Sequence, residues 1–363
     1  MRELTSLELS VVISELCGKV EGSRLRKFYD LGNGAFRFAF RGKDSAQVYC
    51  KLLQTFNLTS ISESAEAATN FAMAVRKRLE NATVSSLRQH GTDRIIRMGF
   101  ETEGKELVIE MFGKGNMLIL SSDGIIEASY HRVEYKDRMI KPGEKYHFHE
   151  AQAGFIEEAS NLASRLEVEG EKKIISQMSR LLNIGPIYLE EIIRRNGVDP
   201  RGLIKSSEEA GMLQEGAISF LNSIGNEKPR MYIKDSIPVD YSLCKILRYS
   251  DLQFKEYESL NSLLDDFYSG ERLSAKDLEK EAEEKEIRLS MERQKALEAE
   301  ASAEADRCFA VGNKIFERMH EINNLIINVR ESIKSKEQVL GVGNIKVSGV
   351  DMKTKKITVE VPD

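Results

Sequence analysis

Apolar residues alternate with polar ones along the first 150 positions and then recur at every third or fourth position, and this change of period divides the chain. Phe36-Arg37-Phe38-Ala39-Phe40-Arg41 has the period of two of a half-buried strand, and 47–52, 95–100, 107–112, 117–120 and 125–130 look similar. Gly32-Asn33-Gly34, Glu103-Gly104 and Asp123-Gly124 supply turns between them. Helices are expected from Leu7 to Leu16, with Thr5 or Ser6 as N-cap, and from about Ala65 to Glu80. Beyond 150, Ile174, Ile175, Met178, Leu181 and Leu182 keep helical spacing. Leu181 to Ile193 then reads helix, tight Gly185 turn, Pro186 at the first helical position, helix. Strands segregated from helices in this way indicate an α+β fold.

Five segments follow. Residues 1–150 form a β-rich domain and 151–225 a helix-hairpin-helix domain. Residues 226–271, with strands at 230–233 and 242–249 and a helix at 259–267, are too short to bury a core alone and should pack back on the first domain. Residues 272–338 read as a coiled-coil arm: positions 276–307 hold 7 Lys/Arg and 11 Asp/Glu, with Glu281/Lys285 and Glu284/Arg288 at the favoured i, i+4 spacing. An apolar stripe (Ile315, Met319, Ile322, Ile326, Val329, Ile333) follows, so the arm reads as antiparallel but incomplete. Residues 339–363 begin a small β element at the arm tip.

Composition narrows function. The chain has 53 Lys/Arg against 58 Asp/Glu, a formal charge of −5, which excludes a uniformly basic nucleic-acid binder. It leaves room for a local basic surface: residues 71–100 hold Arg76, Lys77, Arg78, Arg88, Arg94 and Arg97 against Glu80 and Asp93. No apolar run reaches the ~20 residues of a membrane span, so no membrane partner is expected. Cys17, Cys50, Cys244 and Cys308 form no CxxC, and with no leader-like start they suit a reducing cytoplasm.

No nucleophile motif stands out, and no metal or cofactor is expected. His147 and His149 would share one face of a strand, a pair that can hold a metal, but with no third ligand nearby a polar edge strand is the better reading. Gly113-Lys114-Gly115-Asn116 lies between strands; it can offer Lys114 and backbone N–H groups to an anion, or be a plain turn. Asp93-Arg94 opens a strand. An arginine there suits a phosphate or base edge, with Asp93 fixing it; a cap with a surface ion pair is the alternative. The Gly185-Pro186 hairpin can hold one backbone phosphate, or be an ordinary helical hairpin.

These residues resemble a known family. Ser6-Leu7-Glu8-Leu9 with Ser14-Glu15-Leu16, then Leu25-Arg26-Lys27-Phe28-Tyr29, Phe71 with Val75-Arg76-Lys77-Arg78-Leu79-Glu80, Asp93-Arg94-Ile95-Ile96, and the run from Leu107 to Leu120 are similar to the NFACT-N family. That family contains RqcH in bacteria, NEMF in animals and fibronectin-binding-protein-A-like proteins. The resemblance implies a β-rich domain shaped like formamidopyrimidine-type DNA glycosylases, followed by the hairpin domain and the arm. It implies a ribosome-associated quality control factor. Such a factor binds a stalled large ribosomal subunit carrying peptidyl-tRNA and recruits aminoacyl-tRNA for untemplated, alanine-type C-terminal tailing of the nascent chain. A degradation partner of ubiquitin-ligase type is implied beside it. The resemblance places Glu8, Asp93 and Arg94 in tRNA recruitment, and Arg76, Lys77, Arg88, Arg97, Lys114 and Asn116 join them as tRNA-contacting candidates.

Two departures are visible. Most members carry Asp where this chain has Glu8, and members continue through a returning helix into an NFACT-R domain, so the chain is expected to be shorter than its parent protein. The other readings are a nucleic-acid-processing enzyme of glycosylase-like fold and an adhesin or scaffold. Arg2 replaces the proline nucleophile that a glycosylase needs, and no export signal favours an adhesin. A binding factor and not an enzyme is expected.

Overall fold

The computed structural model describes residues 2–62, 68–135, 138–150, 153–335, 345–351, 354 and 356–360. It divides into two units, Met1–Ser274 and Ala275–Asp363. The architecture is mixed, with antiparallel sheets and helices.

The first unit opens with α1 (Ser6–Val20). Thr5 is its N-cap: the Thr5 hydroxyl accepts from the Glu8 amide, and the Glu8 carboxylate accepts from the Thr5 amide at 2.8 Å. A four-stranded meander follows, β1 (Arg24–Gly32), β2 (Ala35–Arg41), β3 (Ser45–Lys51) and β4 (Thr55–Leu58). Asn33 and Gly34 join β1 to β2, both at positive φ (51° and 72°), the twist a two-residue hairpin needs. Next come α2 (Asn70–Leu79) and a five-stranded meander, β5 (Val84–Gln89), β6 (Ile95–Phe100), β7 (Glu106–Glu110), β8 (Asn116–Leu120) and β9 (Ile126–Ser129). α2 starts at Asn70 because Thr69 caps it; the expected start at Ala65 lies outside the described residues.

The inner faces of both sheets share one core with α1 and α2. Phe28, Phe36, Phe38 and Phe56 meet Met98, Leu107, Ile109 and Met117 there. The five-stranded sheet is buried on its second face too. Ile95, Val108, Leu118, Leu120 and Ile126 lie under Ile140, Tyr146, Phe148 and Val133. These covering residues belong to a strap that includes the hairpin β10 (Val133–Tyr135) and β11 (Arg138–Ile140). Burial on both faces explains the uninterrupted apolar run Met117-Leu118-Ile119-Leu120, which is not half-buried alternation.

The helical part holds α3 (Phe155–Ser160), α4 (Leu162–Arg165), α5 (Ile174–Leu181), α6 (Pro186–Arg195) and α7 (Ser207–Ser223). A three-stranded sheet follows, β12 (Arg230–Lys234) between β13 (Ile237–Ser242) and β14 (Gln253–Glu256). The expected strand over 242–249 is therefore replaced by β13, a 3-10 turn at Leu247–Tyr249 and β14. The next helix, α8 (Leu260–Glu317), runs on past Phe267, where the sequence pattern ended a short helix. Gly270 is the one weak helix former at that point, and a single glycine costs only about 1 kcal/mol. The start of α8 returns to α1: the Leu260 and Asn261 amides both donate to Glu15 at 2.9 Å.

In the second unit, α9 (Met319–Ser335) packs Leu325 and Val329 against Ile345, Val347, Ile357 and Val359. The last three belong to the hairpin β15 (Lys346–Asp351) and β16 (Lys356–Glu360). Residues 339–344 of the expected tip element lie outside the described residues. Among the described residues no helix is long and apolar enough to cross a membrane.

Candidate nucleic-acid interface

Antiparallel order brings several turns to one end of the five-stranded sheet. The β5–β6 turn carries Thr92, Asp93 and Arg94, and the β7–β8 turn carries Gly113, Lys114 and Gly115. They are neighbours: the Met111 amide donates to the Arg94 carbonyl at 2.8 Å. The chain leaving β9 arrives at the same end, where the Tyr130 amide donates to the Met117 carbonyl. The four-stranded sheet adds its turns, because Gly115 lies against Leu52 and the Gly34 amide donates to the Tyr130 hydroxyl at 3.1 Å.

The Asp93-Arg94 turn is pinned from three sides. Gln89 Nε2 donates to the Asp93 carbonyl (2.9 Å) and to the Ser6 carbonyl (3.0 Å). Ser6 Oγ donates to the Thr92 carbonyl. Asn183 Nδ2, from the turn between α5 and α6, donates to that same carbonyl at 2.8 Å. The hairpin glycine sits directly on the α1 cap: Gly185 has φ 98°, and a Cβ added there would lie 2.7 Å from the Thr5 Cβ. The Gly185-Pro186 hairpin is thus docked on the start of α1 through Gly185. Gly185→Ala combines left-handed strain with this overlap, so it should lower unfolding free energy by about 2–4 kcal/mol in denaturant titration.

Arg94 emerges half-buried from this turn. Its guanidinium pairs with Glu3 (2.6 Å) and donates to the Leu4 carbonyl (3.4 Å). The expected pairing with Asp93 is absent, since among the described residues none donates to the Asp93 carboxylate. Glu3 takes that role because α1 begins beside the turn. Lys114 is exposed at the neighbouring turn, and Lys77 is exposed on α2.

The other cations of this stretch are partly engaged. Arg97 forms a two-pronged pair with Glu106 (2.7 and 2.7 Å) and stacks over Phe148 at 4.0 Å. Arg76 donates to the Phe28 carbonyl and Arg78 pairs with Glu127. Arg88 is exposed and stands 3.5 Å from Glu106. Asn116 is buried, accepting from the His131 amide (2.9 Å) and donating to the His131 carbonyl (3.0 Å).

Glu8 is fully buried. Its carboxylate accepts from Arg2 (2.5 Å), the Tyr188 hydroxyl (2.6 Å) and the Thr5 amide. Arg2 also pairs with Asp240 at 2.8 Å and lies over the Tyr241 ring at 4.5 Å. Burial opposes the Arg2 charge, but Glu8, with Tyr241, Tyr188 and Asp240, outweighs it and holds the guanidinium protonated. Burial first, and then the Glu8 charge, push the Tyr188 hydroxyl well above its ordinary range, so it remains a donor. Glu8 therefore ties α1 to α6 and, through Arg2, to β13; it reaches the loop end only through the cap it shares with Thr5.

His147 and His149 lie on irregular chain, not on the expected edge strand. The His149 carbonyl stands 2.9 Å from His90 Nε2. Among the described residues no group of three His, Cys, Asp or Glu could hold a metal ion. Sequence reading missed Ser6, Gln89 and Asn183, the residues that pin the Asp93-Arg94 turn. Nothing local marks them, because their partners lie 83 to 91 positions away, apart from the Asp93 carbonyl.

The same architecture occurs in known structures. The fibrinogen binding protein from Staphylococcus aureus superposes with a TM-score of 0.59 at 19% identity, covering 73% of this chain and 98% of that one. The N-terminal part of the fibronectin/fibrinogen-binding protein from Streptococcus suis gives 0.56 at 19% identity, covering 74% and 99%. Among curated relatives, the archaeal Rqc2 homolog aRqcH of Methanocaldococcus jannaschii is 28% identical over 74% of this chain. The ribosome quality control complex subunit NEMF of Homo sapiens is 24% identical over 76%, and the Rqc2 homolog RqcH of Bacillus subtilis 25% over 73%. The matches span only 42%, 29% and 50% of those relatives' own lengths. The model of the NFACT N-terminal and middle domains matches residues 5–361, and the chain belongs to that family.

Proposed function

We propose that this chain is the RNA-binding part of a ribosome quality control factor acting in the cytoplasm. It binds the large ribosomal subunit with its peptidyl-tRNA and recruits an aminoacyl-tRNA for untemplated C-terminal tailing. The observation that carries the reading is the loop end, where Arg94 stands on a turn pinned by Ser6, Gln89 and Asn183, with exposed Lys114 on the adjacent turn. A fixed arginine beside a free lysine suits a phosphate backbone, and Asp93, with no described donor, is free to accept from a base amino group. The relatives named as ribosome quality control proteins support the same biology.

The chain supplies affinity and placement, and the ribosome's peptidyl-transferase centre makes the bond. Glu8 contributes by holding the α1 cap on which the turn rests. The arm reaches toward ribosomal RNA or a degradation partner.

Binding through two or three phosphates has a measurable signature. Titration of tRNA by fluorescence anisotropy should show affinity falling roughly 10- to 40-fold between 50 and 200 mM KCl. Affinity that does not change with salt contradicts a phosphate-contacting loop end.

A further inference from the structure

An aromatic column runs from the core of the first unit to the same loop end and finishes in solvent. Phe36 and Phe71 are buried, and the Tyr130 ring meets both edge-on, with centroids at 4.9 and 5.7 Å. The Tyr130 hydroxyl accepts from the Gly34 amide, which fixes the ring along its length. His131 is next: its ring centroid lies 4.4 Å from that of Tyr130, while the residue itself is exposed.

The backbone beneath His131 is clamped. The buried Asn116 side chain both accepts from its amide and donates to its carbonyl. Among the described residues, the buried Asn116 side chain is satisfied by this clamp together with the Met117 amide, which donates to its Oδ1. The backbone that carries exposed His131 is therefore held in place, with exposed Arg132 beside it and Lys114 two residues before the clamp.

We infer that His131 is a base-stacking residue: its ring extends the Phe36–Tyr130 column by one unpaired base of the bound RNA, while Lys114 and Arg132 take the flanking phosphates. The inference rests on the RNA-binding reading and names what that site recognises, a single-stranded nucleotide and not a duplex. An unpaired base has an open π-face and needs an aromatic platform with cations on the backbone side. The site supplies both, and the backbone under the platform is held before the ligand arrives.

The test uses the whole chain and two fluorescein-labelled decamers, an oligoadenylate RNA and its abasic counterpart, followed by anisotropy. The chain should bind the oligoadenylate roughly tenfold more tightly than the abasic strand. His131→Ala should abolish that difference and leave the abasic affinity unchanged, and His131→Phe should retain it. A preference that survives His131→Ala overturns the stacking assignment while the RNA-binding reading stands. Failure of the unaltered chain to bind either strand overturns the inference, while the tRNA titration described above decides the RNA-binding reading separately.

Discussion

Glu8→Ala is expected to destabilise the protein by about 3–5 kcal/mol, the largest effect of any single substitution considered. The carboxylate is fully buried and serves three donors: Arg2, the Tyr188 hydroxyl and the Thr5 amide. Removing it leaves a largely buried guanidinium with Asp240 as its remaining acidic partner and strips the second half of the α1 capping box. Breaking one member of a buried pair costs more than replacing the pair, because the survivor stays desolvated. Arg2→Met combined with Glu8→Leu should therefore recover most of the loss. Denaturant titration of the three variants checks both statements. A loss below about 1 kcal/mol for Glu8→Ala would mean that the network contributes little, and would return Glu8 to the pool of direct ligand contacts.

Asp93→Ala combined with Arg94→Ala is expected to do the opposite: binding is lost and the fold is kept. Arg94 and Glu3 form a partly exposed pair, worth at most about 1 kcal/mol. The turn itself is held by the backbone carbonyls of Thr92 and Asp93, which alanine retains. The melting temperature should therefore move by no more than a few degrees. Loss of one charge-assisted contact to phosphate or base, worth about 1.5–3 kcal/mol, weakens tRNA binding roughly 10- to 150-fold. Equal loss of stability and binding would show that the turn is structural and that tRNA contacts lie elsewhere.

The contrast between these two acidic positions shows what sequence can carry. The α1 cap, the Asn33-Gly34 hairpin and the Gly185-Pro186 turn were legible, because each is decided by residues within four positions of one another. The role of Glu8 was not. Its partners Arg2 and Thr5 are local, but Tyr188 lies 180 positions away, and only the fold shows that the carboxylate points inward. The two-sided burial of β8 was hidden for the same reason: the strap that covers it comes from residues 130–149. The Asp93-Arg94 motif was visible as a motif, yet the pairing expected within it is made instead by Glu3 from before α1. His131 was one of five histidines and had no role assigned, since a lone histidine after a strand carries no signal until Asn116 is seen to hold its backbone and Tyr130 to meet its ring.

The α1 cap is the physical link between the buried network and the half-buried Asp93-Arg94 turn. Glu8 holds Thr5, Thr5 abuts Gly185, and Ser6 and Asn183 hold Thr92. On the proposed reading, stability and RNA binding are therefore coupled at one point of the fold, and Gly185→Ala is expected to disturb both. The Asp93-Arg94 substitutions should disturb only recognition.

The most direct test of the account is purification of the tagged chain from cells, followed by sequencing of the RNA that comes with it. Recovery of tRNA together with large-subunit ribosomal RNA is expected, with loss of the tRNA fraction from the Asp93→Ala, Arg94→Ala variant at unchanged protein yield. Recovery of no tRNA with the unaltered chain, or of the same tRNA fraction with the variant, would contradict it.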